Sequence, residues 1–179
     1  MIIGLTGPNA AGKGEVASYL MSRGFAYHSL SDVLREEMEK RNLPPTRENL
    51  IALGNELRAA RGAGVLAEIV CKRLGSRDVV DSIRNPAEVA VLRRLGGFIL
   101  IGVDAPMEVR FGRAQKRARP GDGLTLEEFR DKEARENSPD PARQQLAATF
   151  ALADRTLGNG GSIEELRRHV DDLMSESYP

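Results

Sequence analysis

The segment Gly7-Pro8-Asn9-Ala10-Ala11-Gly12-Lys13-Gly14 constrains this chain more than any other, because it stands between an apolar run, Met1 to Leu5, and a stretch with helical spacing. Small residues there let backbone N–H groups wrap closely around an anion, and the positive end of the following helix adds to the attraction. The G-x-x-x-x-G-K spacing is that of a phosphate loop, in which Lys13 reaches the β- and γ-phosphates of a nucleotide as a compact charge. Lysine is scarce elsewhere: of the 26 basic residues, 21 are arginine and five are lysine. One departure stands out. The hydroxyl residue that normally follows the lysine and touches Mg²⁺ is replaced by Gly14, with Glu15 next. Magnesium is then held through water, or a carboxylate substitutes in part, or metal handling is weak.

The rest of the chain alternates strand-like runs with helical periodicity. Val16, Ala17, Leu20 and Met21 mark one helix face, and Gly24 ends it. A second strand is expected over Phe25 to Leu30, with helices over Asp32 to Lys40, Glu48 to Ala60 and Val65 to Leu74. Asp78 to Asp81 reads as a short strand. Asn85-Pro86-Ala87-Glu88 carries an N-cap, a proline at the first position and a capping-box glutamate. Phe98 to Val103 is the clearest buried strand, and a basic helix follows Pro106 as far as Arg119. Pro120 to Gly123 is a turn, Thr125 with Glu128 opens another helix, and Ser138-Pro139-Asp140-Pro141 breaks the chain. A weak last strand over Ala153 to Gly158 precedes a helix capped by Ser162 and Glu165. This order predicts α/β architecture with a parallel sheet, most simply of five strands, because parallel strands need helical crossovers.

With 179 residues, one domain is expected. Twenty-six basic residues balance twenty-six acidic ones, which argues against a nucleic-acid-coating or membrane-surface protein. The longest apolar run, Phe98 to Val103, is too short to span a bilayer, and a secretory signal pattern is absent from the first residues. A single cysteine, Cys71, cannot staple the fold, so a cytoplasmic protein is expected.

Phosphoryl transfer needs positioning and positive groups around the moving phosphoryl oxygens. Arginine suits this, because its planar fork binds phosphate oxygens two at a time. Arg35, Arg58 and Arg84 lie on segments that begin or follow parallel strands, where such sheets bind ligands. Spacings of three and four place Arg110, Arg113 and Arg117 along one helical stripe. Asp81, a carboxylate ending an apolar strand, is the candidate to hold magnesium, through water. Asp32 reads as a helix cap, and His28 and Cys71 as packing residues.

On these residues the sequence resembles the nucleoside monophosphate kinases and their relatives, the dephospho-coenzyme A kinases, in patches over nearly the whole chain. In adenylate kinases the loop lysine is likewise followed by glycine, although a threonine stands where this chain has Glu15. His28-Ser29-Leu30-Ser31-Asp32-Val33-Leu34-Arg35 looks like the start of their acceptor-binding region, which implies that Ser31 and Arg35 face the acceptor nucleotide. Asp81-Ser82-Ile83-Arg84 resembles the end of their third strand, with the aspartate near magnesium and the arginine on the phosphates. Arg113 and Arg117 match the arginine pair at the base of their lid. Asn159 matches an asparagine near the adenine in dephospho-coenzyme A kinases. The overall likeness is greatest to small kinase-like proteins, some of which precede a deoxycytidylate deaminase module. No H-x-E or P-C-x-x-C signature occurs here, so such a module would lie outside these residues.

The resemblance implies an ATP- and Mg²⁺-dependent phosphotransferase acting on a small nucleotide. ATP would meet Gly7, Asn9, Ala10, Ala11, Gly12, Lys13, Gly14, Glu15, Arg113, Arg117 and Asn159. The acceptor would meet Ser31, Asp32, Arg35 and Arg58 of a helical insert over residues 31–74, together with Arg84, and a short lid would span 113–124. Lys13, Arg84 and Arg117 would stabilise the moving charge. Two alternatives remain open: phosphorylation of a hydroxyl, with Asp32 or Asp81 as base, and a nucleotide-binding switch with little turnover.

Overall fold

Strand β1 (Ile2–Thr6) is buried along its whole length and forms the centre of a five-stranded sheet. The computed structural model describes residues 1–118 and 125–176. The sheet is parallel throughout and runs in the order β2 (Ala26–Ser29), β3 (Asp78–Asp81), β1, β4 (Phe98–Asp104), β5 (Arg155–Gly158).

Alternate residues of the inner strands serve opposite faces, as the pleat requires. Ile3, Leu5, Val79, Ile101 and Val103 pack under α1 (Lys13–Ser22) and α9 (Ile163–Glu176). Ile2, Val80 and Leu100 pack on the other face, under α2 (Leu30–Lys40), α3 (Arg47–Arg61), α4 (Val65–Cys71) and α5 (Pro86–Arg93). The expected insert therefore shares its apolar core with the sheet. Gly4 lies on this second face, and a Cβ there would stand 2.5 Å from the Phe98 ring. The remaining helices are α6 (Met107–Arg117), α7 (Leu126–Ala134) and α8 (Leu146–Phe150).

The element order agrees with the sequence pattern, with informative differences. The second helix starts at Leu30, because the Ser29 hydroxyl accepts from the Ser31 N–H at 3.2 Å; Ser29, not Asp32, is the cap. Helix α4 stops at Cys71, three residues short of the expected end. Helix α8 is one turn long and carries too little periodicity to be read. Residues 119–124, which hold the Pro120–Gly123 turn and the outer half of the expected lid, lie outside the described residues.

Arg58 is a core residue of the insert rather than an open clamp on an acceptor. It is 3% exposed, and its Nε and Nη2 donate to Glu88 Oε1 at 3.2 and 2.9 Å. Glu88 is fully buried and also accepts from the Arg84 and Asn85 N–H groups at 2.9 and 3.1 Å. Removing one partner of such a pair strands the other charge. Arg58→Met is expected to lower stability by about 3–5 kcal/mol, measured by urea unfolding.

Candidate active site

Between Thr6 and Lys13 the backbone turns through left-handed conformations at Gly7 (φ 137°), Ala10 (φ 60°) and Gly12 (φ 107°). A Cβ at Gly7 would stand 2.0 Å from the Val103 carbonyl oxygen, and one at Gly12 would stand 2.0 Å from the Asn159 amide nitrogen. Both positions need glycine for space as well as for φ. Asn159, just past β5, props the loop: its side-chain amide donates to Ala11 O at 2.8 Å, and its backbone N–H donates to Asp104 O at 2.7 Å. The Glu15 and Val16 N–H groups close onto Gly12 O and start α1.

The Lys13 ammonium bends back over the loop and donates to Gly7 O at 2.7 Å and Pro8 O at 2.9 Å. Burial pulls its pKa down to about 8, opposed by the Asp81 carboxylate and assisted by the Arg84 guanidinium. Glu136 and Arg110 also act on it through space. Lys13, Asp81 and Arg84, singled out separately in the sequence, thus share one electrostatic neighbourhood.

Asp81 ends β3, and its Oδ1 accepts from the Ser82 N–H at 2.5 Å. Ser82 is left-handed (φ 66°), which turns the chain sharply after the strand. The Thr6 hydroxyl, at the end of β1, donates to Ile83 O at 2.9 Å and ties this turn to the root of the phosphate loop. Arg84 follows, and its Nη1 donates to Glu136 Oε2 at 2.6 Å. Arg47, the first residue of α3, reaches the other oxygen of the same carboxylate. Burial alone would raise the Glu136 pKa, yet Arg84, Arg47 and Lys13 together hold it below the usual carboxylate value.

The arginine stripe on α6 meets the phosphate loop. Arg110 is buried against Glu133 and donates to Ala105 O at 2.9 Å and Asn9 O at 3.3 Å. Arg117 donates to Asn9 Oδ1 at 3.1 Å, and Arg113 to Asn159 Oδ1 at 3.4 Å. The Nη1 of Arg113 is buried without a hydrogen-bond partner, a donor left over beside the loop. A cavity of about 430 Å³ opens here between the ends of β4 and β5, lined by Asp104, Pro106, Arg110, Asn159 and Gly160 among others. The spare donor, the glycine cradle and this cavity fit a nucleoside triphosphate.

On the other side, Ser31, Asp32 and Arg35 sit on the first turns of α2, past the end of β2. Asp32 and Arg35 form a half-exposed ion pair at 2.6 Å. Both act on the Tyr27 phenol, whose pKa is raised, first by burial and next by Asp81. His28 Nε2 forms a hydrogen bond with the buried carboxylate of Asp78 at 3.2 Å, a polar tie between β2 and β3 where the sequence suggested a packing residue. Gly14 and Glu15 are exposed on α1. Among the described residues no group of three or more carboxylate, histidine or cysteine side chains could hold a metal ion. Asp81 and Glu136 are carboxylates within electrostatic reach of Lys13.

Sequence reasoning missed Glu136, Glu133 and Arg47. Neither glutamate stands in a motif. Arg47 carried a signal, since a cation in the first turn of a helix opposes the macrodipole and calls for an anion beside it.

The family model described as an AAA domain matches residues 3–136. A UPF0200 protein of Hyperthermus butylicus is 36% identical over 179 residues, covering 98% of this chain and 94% of its own length. One from Methanoregula boonei is 37% identical, with 97% and 95% covered. Among solved structures, TT1252 from Thermus thermophilus superposes with a TM-score of 0.65 at 25% identity, covering 98% of this chain and 97% of that one. Shikimate kinase from Aquifex aeolicus superposes with a TM-score of 0.61 at 17% identity, with 98% and 97% covered. The architecture is that of the P-loop kinases.

Lys13 is expected to make nucleotide binding pH-dependent. Its pKa is about 8 in the free protein, and triphosphate beside it must raise that value. Bound protein therefore holds more protons than free protein above about pH 8, so ATP affinity falls as pH rises through that window. Calorimetry of ATP binding at about pH 9 in buffers of different ionisation enthalpy is expected to show net proton uptake, and Lys13→Ala to abolish it.

Proposed function

We propose that this chain, which belongs to the UPF0200 family and has a P-loop kinase fold, transfers the γ-phosphoryl group of MgATP to a nucleoside or deoxynucleoside monophosphate. The observation that carries the reading is the convergence of Lys13, Asp81 and Arg84 at the mouth of a phosphate loop that α6 already contacts through Arg110 and Arg117. The loop N–H groups and Lys13 hold the β- and γ-phosphates, and the cavity beside Asn159 takes the nucleoside part of ATP. Asp81 would hold the magnesium that accompanies ATP, whose charge would offset that of the phosphates. Arg113 and Arg117 bind the donor phosphates from α6, and Arg84 bridges donor and acceptor. Ser31, Asp32 and Arg35 face the acceptor from α2. No general base is required, because a monophosphate oxygen is already ionised and attacks phosphorus directly as ADP leaves. The positive groups then stabilise charge that is spread over three equatorial oxygens in the transition state.

A second reading rests on Asp32, a half-exposed carboxylate past the end of β2. If the acceptor presents a hydroxyl instead, Asp32 or Asp81 would take its proton.

The test is ADP release from MgATP against a panel of ribo- and deoxynucleoside monophosphates and dephospho-coenzyme A. One monophosphate is expected to raise turnover by orders of magnitude. Lys13→Ala and Arg84→Ala are each expected to lower kcat by about 10²–10³-fold with unchanged circular dichroism. Asp32→Ala weakens phosphate phosphorylation only modestly but abolishes hydroxyl phosphorylation if Asp32 is the base. Silence across the panel with ATP binding intact would replace the kinase reading by a nucleotide-binding switch.

A further inference from the structure

Past the end of α7 the chain wraps around the β3–α5 turn. Gln145 N–H donates to Arg84 O at 2.9 Å, and the Asn85 side chain donates to Pro141 O and Arg143 O, both at 2.8 Å. This strap delivers Glu136, 2% exposed, to the two arginines described above. Three separate elements thus meet at one carboxylate: α3 through Arg47, the turn through Arg84, and the strap. Glu136 itself is buried, yet the Arg84 and Arg47 side chains keep 25% and 23% of their surface open.

A carboxylate bridging two guanidiniums uses the same planar donors that a phosphate would use, at similar distances. Arg47 makes the likeness stronger. It sits in the first turn of a 15-residue helix, where a cation opposes the macrodipole and an anion is favoured. Lys13 adds a further positive charge within electrostatic reach of Glu136. The surroundings of Glu136 are therefore those of an anion site beside the phosphate loop, on the side where α2 and α3 enter.

We propose that Arg47 and Arg84 together bind the acceptor's phosphate group, and that Glu136 occupies that place in the free protein and is displaced by the phosphate. Arg47 becomes an acceptor-binding residue. Glu136 is a positioning residue, which keeps the two guanidiniums in register and yields them on binding. No bond is made or broken in this exchange; one anion replaces another on the same donors. The identification of the anion as the acceptor's phosphate rests on the phosphotransfer reading above, whereas the anion site itself rests on the geometry alone.

The two can be tested apart. The whole chain is saturated with a non-hydrolysable MgATP analogue, so that the phosphate loop is filled, and titrated with inorganic phosphate by calorimetry. Glu136→Gln preserves shape and removes the competing charge, and is expected to bind phosphate about ten-fold more tightly than the unsubstituted chain. Affinity for the analogue should rise by less than that for phosphate, because Glu136 reaches the donor site only through Lys13 and Arg84, whereas it sits on both guanidiniums of the phosphate site. Adding Arg47→Ala to Glu136→Gln should cancel the gain. A Glu136→Gln protein that binds phosphate no more tightly than the parent overturns the proposal and makes Glu136 a strut. Should Glu136→Gln fail to fold, Arg47→Ala alone decides: several-fold weaker phosphate binding supports the site, and unchanged binding overturns it. Tightened phosphate binding without turnover on any acceptor would sink the kinase reading while leaving the anion site standing.

Discussion

The buried carboxylate of Glu88 fixes the geometry on which the site depends. It caps α5 by accepting the backbone N–H groups of Arg84 and Asn85, and it anchors α3 by accepting Arg58. A fully buried charge is tolerated only when its hydrogen bonds are complete, and here all of them come from groups that must be held still. The Arg84 side chain starts from a backbone that this carboxylate clamps on one side and Gln145 on the other. The direction in which Arg84 projects is thus set before any ligand arrives.

A second constraint is the division of labour among the arginines. Arg58 and Arg110 are buried and paired with Glu88 and Glu133, with one Arg58 nitrogen left without a hydrogen-bond partner, and they join helices to the core. Arg84, Arg113 and Arg117 stand at the loop with weaker or shared partners. Arginine serves both purposes because its charge persists on burial and its fork can be satisfied from several sides. Arg113 is intermediate, with one nitrogen on Asn159 and another unpartnered.

Much of this was legible in the sequence, for physical reasons. The parallel sheet follows from short apolar strands separated by helical crossovers, and β3 and α5 fall where their residues place them because Asp81 and the Asn85 capping box are strong local signals. Gly7, Gly12 and Lys13 identify the loop because its conformation leaves few residue types able to occupy it. The arginine stripe on α6 was legible from spacing alone, and it does meet the loop. What stayed hidden was pairing across long sequence separations. Nothing near Arg58 in the chain announces Glu88 as its partner, and nothing near Glu136 announces Arg47 and Arg84. Local patterns carry helices and turns, whereas the choice of partner for a charge depends on where the folded chain brings it.

The space around Gly14 separates folding from chemistry within the loop. A Cβ added there meets nothing within 4 Å, and the residue's φ lies outside the left-handed range, so a serine would fit the backbone and even reduce the flexibility of the unfolded chain. Gly7 and Gly12 have no such freedom. The loop therefore contains two kinds of glycine, one demanded by its architecture and one that the architecture leaves open. The fold would accept at Gly14 the hydroxyl that the phosphate-loop spacing normally puts there.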